Sequence, residues 1–322
     1  YDKPRLSVAF RQGVSPAELC TESGQEAAIR LGVRLMAHTQ AVGVDTRRRR
    51  LRTTRGTITY GELILAHGAQ ARTCSGLPDE LTWRVNDLSA YRRLREALSE
   101  LSLREGRSTG QPAGTSGPTV QPPSVLLVGA GLVGCELAND LALAGYPVTL
   151  IETAERPLPM ATVEQSQALL DAWSSLPIRF LGGQQVQQAS REATGRIRLE
   201  LQGGMVLNGD ILVSAVGLST PSRLAAQAGL TWNNGVSVDA QTLSTGVDHV
   251  HALGDCISIE GKAQRFIEPI RRQASLVAAR VCGAAIPAYD AACPPIRVKT
   301  SSLPLTLLST SCRAGTCPTA PR

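Results

Sequence analysis

The sequence predicts an α/β protein built around a parallel, dinucleotide-binding sheet, and three observations support this fold class. An apolar strand over 125–128 runs directly into the glycine pattern Gly129-x-Gly131-x-x-Gly134. A helical pattern follows over 132–144, and a second apolar strand over 147–152 ends in a glutamate. A strand, a glycine turn, a helix, a strand and an acid in this order are typical of a βαβ unit that binds a dinucleotide.

Each glycine of the pattern has its own physical reason. Gly129 allows the sharp turn, Gly131 removes the side chain that would block a pyrophosphate, and Gly134 lets the helix lie close to the strand. The phosphates then meet the helix N-terminus, where free N–H groups favour an anion. An ordinary tight turn is the alternative, and the acid at the end of the next strand argues against it.

Glu152 predicts which dinucleotide binds. It closes the second strand about 20 residues beyond the glycines, where a carboxylate accepts hydrogen bonds from the adenosine ribose hydroxyls. The same carboxylate repels a 2′-phosphate. We therefore expect NADH rather than NADPH.

Composition limits the function classes. The chain has 322 residues, of which 43% are hydrophobic, enough for about two domains. No apolar run is long enough for a membrane helix, no leader opens the sequence, and the eight cysteines are scattered, so we expect a cytoplasmic protein with no membrane role and no metal site. The net charge of +6 suits an acidic partner, whereas the aromatic content of 3% argues against nucleic acid.

Two further segments leave alternatives open. The run Arg47–Arg50 lies between two short apolar stretches and predicts a solvated hairpin tip, with partner docking as the alternative. Cys312 and Cys317 are spaced like a redox pair, but they lie in a tail rich in Ser, Thr and Pro, which favours coincidence.

The rest of the chain reads as alternating strands and helices around a linker. Gly, Ser, Thr, Pro and Gln dominate residues 104–123, which predicts a flexible linker or surface insertion. The expected strands before and after it are 33–37, 63–66, 178–181 and 211–215, and the expected helices are 25–31 and 88–103.

A Gly-Asp corner at 254–255 is a second candidate site. A short apolar strand leads into it, and a helix over 269–281 follows. A carboxylate at the end of a buried strand is costly without hydrogen bonds, so a ligand hydroxyl is a natural partner for Asp255. A plain turn or N-cap aspartate is the alternative. His249 and His251 alternate about that strand and are expected to be structural.

Seven motifs, taken together and in order, resemble one known family. They are Tyr1-Asp-Lys-Pro-Arg-Leu-Ser7, Leu63-Ile-Leu-Ala-His-Gly-Ala69, Val85-Asn-Asp-Leu88, Gly129-Ala-Gly-Leu-Val-Gly-Cys-Glu-Leu-Ala-Asn-Asp140, Ser214-Ala-Val-Gly-Leu218, Ala252-Leu-Gly-Asp-Cys256 and Val298-Lys-Thr300. The chain resembles the rubredoxin-NAD(+) reductases, FAD enzymes of the pyridine nucleotide-disulfide oxidoreductase superfamily. The resemblance covers about 1–103 and 123–308.

The resemblance implies two nucleotide-binding, Rossmann-like, three-layer domains. The FAD-binding domain is expected to be discontinuous, over 1–103 and 245–308, around a NADH-binding domain over 124–244, with 309–322 an irregular tail. The family opens with a further glycine motif and ends with a further domain, so we expect truncation at both ends, an incomplete FAD domain, and weak or no FAD binding by this polypeptide.

The resemblance also implies site residues. Asp255 would bind the FAD ribitol, and Lys3 and Glu136 match a pair beside the flavin. Ala41, Ile267 and Lys299 resemble other FAD contacts, while Gly217, like the three glycines and Glu152, would lie on the NAD side.

There is also a physical reason for Lys3 and Glu136. The first turn of the nucleotide helix carries Glu136 toward the nicotinamide, where flavin and nicotinamide must approach to about 3–3.5 Å for hydride transfer. An ammonium from Lys3 would stabilise the negative charge that develops, and Glu136 would hold that ammonium. The alternatives are an exposed terminal cation and a helix-capping carboxylate.

The implied function is hydride transfer from NADH to FAD, followed by single-electron transfer to rubredoxin or another small acidic carrier. An NADH-dependent ferredoxin or flavorubredoxin reductase, or an NADH oxidase, is the alternative acceptor class. A truncated NAD-binding fragment without activity is the alternative of another kind.

Overall fold

The computed structural model describes residues 1–105, 121–263, 265–285, 288–290 and 294–308. Within these ranges the α-helices are α1 Gly24–Leu31, α2 Leu88–Glu105, α3 Leu132–Leu143, α4 Val163–Trp173, α5 Arg223–Gln227 and α6 Ile267–Val281. Short 3-10 helices span Lys3–Val8 and Gly254–Cys256.

The strands of the described residues are short. They are β1 Ala41–Asp45, β2 Arg50–Thr53, β3 Gly56–Thr59, β4 Leu63–Leu65, β5 Gln70–Ala71, β6 Thr82–Trp83, β7 Val125–Val128, β8 Val148–Ile151, β9 Ile178–Leu181, β10 Val186–Arg191, β11 Ile197–Leu201, β12 Val206–Gly209, β13 Ile211–Ser214, β14 Leu218–Ser219, β15 Val236–Val238, β16 Val250–Ala252, β17 Ile257–Ile259, β18 Ile296–Val298 and β19 Leu305–Leu307.

The chain forms two compact units and passes between them more than once. Unit A contains Tyr1–Ser23, Ala71–Gly217 and the chain from Pro295 on, and unit B contains Gly24–Gln70 and Leu218–Pro294. The boundaries of these two units differ from those of the FAD-binding and NADH-binding domains that the sequence predicts. The predicted domains, with their boundaries at 103, 124 and 245, stay a prediction.

Unit A is built on a five-stranded parallel sheet in the order β6-β13-β7-β8-β9. The central strand β7 pairs Val125 with Ile211 on one side and with Val148 on the other. All four residues of β7 are buried, as expected for a parallel strand that is covered on both faces.

Two further layers cover that sheet. Helix α3 lies against β7 and β8, and residues 134–142 of α3 are all buried. The antiparallel strands β10, β11 and β12 pack from the other side, where Leu199 and Leu201 join Leu126 and Leu212 in one apolar core. The alternating pattern of residues 196–207 predicts a hairpin, which β11 and β12 form, whereas strand β10 was not predicted.

Unit B contains smaller sheets around a second core. Strands β1, β2 and β3 form an antiparallel meander, and its first turn, residues 46–49, contains three of the four arginines of the run 47–50, as the sequence predicted. Parallel pairs form between β4 and β16 and between β15 and β17. Their side chains pack with Leu230, Leu243 and Leu276.

One predicted strand is wrong. Residues 33–37 form no strand, and Val33 and Leu35 are 57% and 48% exposed. Their apolar composition favoured a strand, but a strand needs a partner, and no strand of the described residues pairs with this segment. Most of the predicted linker, and both cysteines of the tail, lie outside the described residues.

The described part of the chain lacks two features that would change the function class. No helix there is both long enough and apolar enough to cross a bilayer. The same residues contain no group of three His, Cys, Asp or Glu side chains arranged to hold a metal ion.

Candidate functional site at the start of helix α3

The glycine loop between β7 and α3 is shaped by two close backbone approaches. Gly129 has φ +99°, and a Cβ there would lie 2.7 Å from the carbonyl oxygen of Ala215. A Cβ on Gly134 would lie 1.8 Å from the carbonyl oxygen of Gly129. At Gly131, by contrast, a Cβ would meet nothing within 4 Å. Two glycines therefore serve packing, and the third leaves open space above the loop.

The helix start that follows is available to an anion. Gly131 is the N-cap of α3 and offers no side chain to the helix amides, and no side chain of the described residues caps this end. Free N–H groups at a helix N-terminus favour negative charge. The open space at Gly131 and the uncapped amides lie at the same turn, as a bound pyrophosphate requires.

Glu152 lies beside this loop, directly after β8. One of its carboxylate oxygens accepts the N–H of Ala130 at 2.6 Å, and the other accepts the N–H groups of Thr153 and Ala154 at 2.8 and 3.2 Å. The carboxylate is thus fixed against the glycine loop. Nearby Arg156 donates to the carbonyl oxygen of Ala161 at 2.7 Å, so its guanidinium is engaged within its own loop.

Glu136, on the first turns of α3, is a buried carboxylate with three donors. It is 4% exposed, and its Oε1 accepts the backbone N–H of Lys299 at 2.9 Å. Its Oε2 lies 3.1 Å from Lys299 Nζ and also accepts the Ser7 hydroxyl. Lys299 Nζ further contacts Ser7 Oγ at 3.3 Å and donates to the carbonyl oxygen of Pro4. We call Glu136, Lys299 and Ser7 the Glu136 cluster.

The predicted partner of Glu136 is therefore corrected. The expected pair was Lys3 with Glu136, but the ammonium at this carboxylate belongs to Lys299. The reason is local, because Lys299 follows β18 and reaches Glu136 with its backbone amide as well as its side chain. Lys3 begins the 3-10 helix that carries Ser7, and it remains a predicted flavin contact.

Asp255 lies at a tight corner of unit B. Gly254 has φ +80°, and its N–H donates to the side-chain oxygen of Gln273 at 2.8 Å. The backbone carbonyl of Asp255 accepts the Thr220 hydroxyl at 3.1 Å. The half-buried carboxylate makes no hydrogen bond to the residues that the structure describes, so it is free to bind a ligand hydroxyl.

The remaining predicted residues lie at element ends. Ala41 begins β1 and is half-buried, and Ile267 begins α6 and is 49% exposed. Gly217, at φ +96°, follows β13 by three residues. Within unit A the structure thus brings together the glycine loop with Glu152, and Glu136 with Lys299. For Ala41, Ile267 and Gly217 a cofactor role stays a prediction.

The two histidines have a structural arrangement. His249 Nδ1 and His251 Nε2 lie 2.7 and 2.8 Å from the two carboxylate oxygens of Glu62. The single carboxylate of Glu62, just before β4, thereby holds both imidazoles at the start of β16.

The described cysteines divide into a buried and an exposed group, and this division predicts their reactivity. Burial raises the pKa of the Cys135 thiol to about 12 and also raises that of Cys256, whereas Cys20, Cys74 and Cys282 are exposed. We expect a thiol reagent to modify the exposed group in the folded protein and the buried pair only after unfolding. Peptide mapping by mass spectrometry checks this, and rapid native labelling of Cys135 would contradict it.

Comparison with known proteins gives one family and several relatives. The pyridine nucleotide-disulphide oxidoreductase family matches residues 1–279. A rubredoxin-NAD(+) reductase of Alcanivorax borkumensis is 30% identical over 323 residues, which cover 99% of this chain and 76% of the relative. A nitric oxide reductase FlRd-NAD(+) reductase of Aeromonas salmonicida is 31% identical, covering 95% of this chain and 74% of the relative.

Solved structures agree on the fold. The ferredoxin reductase for the CYP199A2 system from Rhodopseudomonas palustris superposes with a TM-score of 0.76 at 29% identity, over 92% of this chain and 70% of that one. The NADH:rubredoxin oxidoreductase from Clostridium acetobutylicum superposes with a TM-score of 0.70 at 17% identity, over 94% and 70% of the two chains. The predicted α/β, Rossmann-like fold class is confirmed.

Proposed function

The chain belongs to the pyridine nucleotide-disulphide oxidoreductase family and, within it, to the rubredoxin-NAD(+) reductases, and from that premise we propose that it passes electrons from NADH through FAD to rubredoxin or a similar small acidic carrier. It is an FAD-dependent, NAD(H)-using oxidoreductase. The observation that carries the site-level proposal is the ion pair between buried Glu136, near the start of the nucleotide helix, and half-buried Lys299.

The glycine loop supports binding of the dinucleotide. The open space at Gly131 and the uncapped N-terminus of α3 fit a pyrophosphate, and Glu152 lies against the same loop to accept ribose hydroxyls. We assign Gly129, Gly131, Gly134, Glu152 and Gly217 to NADH.

The FAD side rests on the family and on the Asp255 carboxylate, which makes no hydrogen bond to the described residues. We assign Lys3, Ala41, Glu136, Asp255, Ile267 and Lys299 to FAD. Asp255 has a half-buried carboxylate suited to a ribitol hydroxyl. When bound, FAD takes up two electrons as a hydride and releases them one at a time, which side chains alone cannot do.

The Glu136 cluster supplies charge to that chemistry. The Lys299 ammonium is held by Glu136 and Ser7 in a half-buried position, where a fixed positive charge stabilises negative charge more strongly than it would in water. Glu136 balances the ammonium and fixes its position, because it binds both the side chain and the backbone amide of Lys299. The pair thus provides a fixed positive charge that would stabilise the negative charge developing when electrons reach the bound cofactor.

Two electron carriers are candidates for the acceptor, each with an observation in its favour. The basic balance of the chain, +6, suits an acidic carrier such as rubredoxin. The 31% identity to a flavorubredoxin-type reductase favours flavorubredoxin as the second candidate. We place the reaction in the cytoplasm.

Anaerobic mixing tests the function. At an FAD concentration high enough to fill even the weak site expected for this polypeptide, addition of NADH should bleach the visible flavin absorption, and added oxidised rubredoxin should restore it. Faster restoration by flavorubredoxin would select the second candidate. Binding of NADH without any bleaching would contradict the proposal and favour a nucleotide-binding fragment.

Glu152→Gln tests the nucleotide preference. The change removes the charge that repels a 2′-phosphate but keeps an acceptor oxygen for the Ala130 amide. We expect the ratio of NADPH to NADH dissociation constants to fall by about tenfold, since a hydrogen bond to a charged group contributes about 1.5–3 kcal/mol.

Glu155→Gln is the matched control, because it removes the same charge from the same loop three residues further on. Its NADPH to NADH ratio should stay near that of the wild type. An unchanged ratio in Glu152→Gln would remove Glu152 from the nucleotide site.

A further inference from the structure

Helix α3 carries two more buried polar side chains next to Glu136. Asn139 and Asp140 are 1% and 3% exposed, in a helix that is otherwise buried among apolar residues. Their positions are i+3 and i+4 relative to Glu136, so the three side chains share one face of the helix. Buried polar groups are costly unless they are hydrogen-bonded. The hydrogen bonds of Asn139 and Asp140 therefore show which segments each side chain holds.

Asp140 holds the segment that follows the 3-10 helix of Ser7. A single oxygen, Oδ2, accepts the N–H groups of Phe10 and Arg11 at 2.6 and 3.1 Å. The hydroxyl of Tyr91 fixes the same segment from another side, because it lies 2.7 Å from the carbonyl oxygen of Val14 and 3.2 Å from that of Ala9. Phe10 lies three residues after Ser7.

Asn139 holds the segment that follows Lys299. Its side-chain nitrogen donates to Ser301 Oγ at 3.2 Å, and its Oδ1 accepts the Ser302 hydroxyl. The same Oδ1 accepts the indole N–H of Trp173 at 3.1 Å. Ser301 lies two residues after Lys299.

We propose that Asn139 and Asp140 are positioning residues that set Lys299 and Ser7 against Glu136, a role that rests on the proposed function of the Glu136 cluster. Ser7 and Lys299 are 129 and 163 residues away from Glu136 in sequence, so chain connectivity does not place them. Each is fixed to α3 within three residues of the side chain that reaches the carboxylate. The helix that opens the nucleotide site therefore also sets the geometry of the charge pair.

Lysine labelling in the full chain tests this without any cofactor. The sequence has only three lysines, Lys3, Lys262 and Lys299, and exposed Lys262 in unit B serves as internal reference. An amine reagent with mass-spectrometric readout gives the labelling rate of each. Asp140→Ala should raise the rate at Lys299 relative to Lys262 by about fivefold, the factor that corresponds to about 1 kcal/mol.

Asp140→Asn separates hydrogen bonding from charge. Because both amides bind one oxygen, an amide oxygen can accept both, so this variant should keep the wild-type labelling rate at Lys299. It should also be at least as stable as the wild type near neutral pH. Burial raises the pKa of Asp140, so its charge costs stability above that raised pKa, and the difference should shrink as the pH falls.

The double variant Ser301→Ala, Ser302→Ala tests the contacts of Asn139 on residues that are exposed or half-buried. It should also speed labelling of Lys299. Unchanged Lys299 labelling in this double variant, or equal acceleration in Asp140→Asn and Asp140→Ala, would overturn the proposal. These outcomes differ from a failure of the proposed function, in which Lys299 labelling responds as stated but Glu136→Gln reduces flavin at the wild-type rate.

Discussion

Gly134→Ala should abolish folding of unit A, whereas Gly131→Ala should leave it folded and remove nucleotide binding. At Gly134 the new Cβ would lie 1.8 Å from the carbonyl oxygen of Gly129. That backbone cannot retreat easily, because Gly129 itself lies close to the carbonyl of Ala215. Helix α3 would have to move off the sheet, which we expect to cost more than about 4 kcal/mol of unfolding free energy.

Gly131→Ala is the matched control with the same added methyl group. Gly131 has φ −72° and ψ −167°, which alanine adopts without strain, and its Cβ would meet no protein atom within 4 Å. Stability should change by no more than about 0.5 kcal/mol. The methyl group would instead occupy the space that we assign to the pyrophosphate, so NADH affinity should fall steeply.

Thermal unfolding and NADH titration distinguish the two variants. We expect a lost or greatly lowered transition for Gly134→Ala, and a normal transition with weak NADH binding for Gly131→Ala. Equal destabilisation of both variants would contradict the packing account. Wild-type NADH affinity in Gly131→Ala would contradict the position of the pyrophosphate.

Glu136→Gln should lower both stability and the rate of flavin reduction. The substitution leaves the Lys299 ammonium without its counter-charge and places an amide near the hydroxyl of Ser7. Breaking a buried pair costs about 3–5 kcal/mol, but the Lys299 side chain is 37% exposed, so we expect about 1–3 kcal/mol.

The rate should fall by about 100-fold, in the range found when one preorganised electrostatic contact is removed. NADH affinity should stay near the wild-type value, because the glycine loop and Glu152 are unchanged. Denaturant unfolding and stopped-flow flavin reduction provide the two measurements. A variant that loses NADH affinity but reduces flavin at the normal rate would contradict the role given to Glu136.

Local signals in the sequence were enough to predict the nucleotide site. The glycine spacing, the strand before it and the acid after the second strand are all within about 30 residues, and each constrains backbone geometry directly. The structure has the expected β7, α3 and β8 with nearly the predicted limits. In the structure a Cβ at Gly129 or at Gly134 would collide with a backbone oxygen, so close packing explains why these two positions are glycine.

Long-range pairing could not be predicted in the same way. Nothing local indicates that Lys299 rather than Lys3 reaches Glu136, because the choice depends on how two distant segments pack on α3. One signal in the sequence does indicate that distant segments pack on this face of α3. Asn139 and Asp140 interrupt an apolar helix at i+3 and i+4 from Glu136, a spacing that indicates a buried polar face.

The segment 33–37 shows the limit of composition. A mostly apolar segment favours a strand, but the hydrogen bonds of a strand come from a neighbour, and the sequence pattern does not say whether that neighbour is present. Ile64 on β4 is also 44% exposed, so apolar side chains in unit B face solvent in the described structure.

Flavin reduction by NADH in Lys299→Met and Lys3→Met, measured side by side in a stopped-flow instrument, tests the central claim most directly. The two substitutions remove the same charge, but only Lys299 binds Glu136. We predict that reduction slows by about 100-fold in Lys299→Met and clearly less in Lys3→Met, which removes a proposed flavin contact but leaves Glu136 paired with Lys299. Slow reduction in Lys3→Met together with normal reduction in Lys299→Met would contradict the claim.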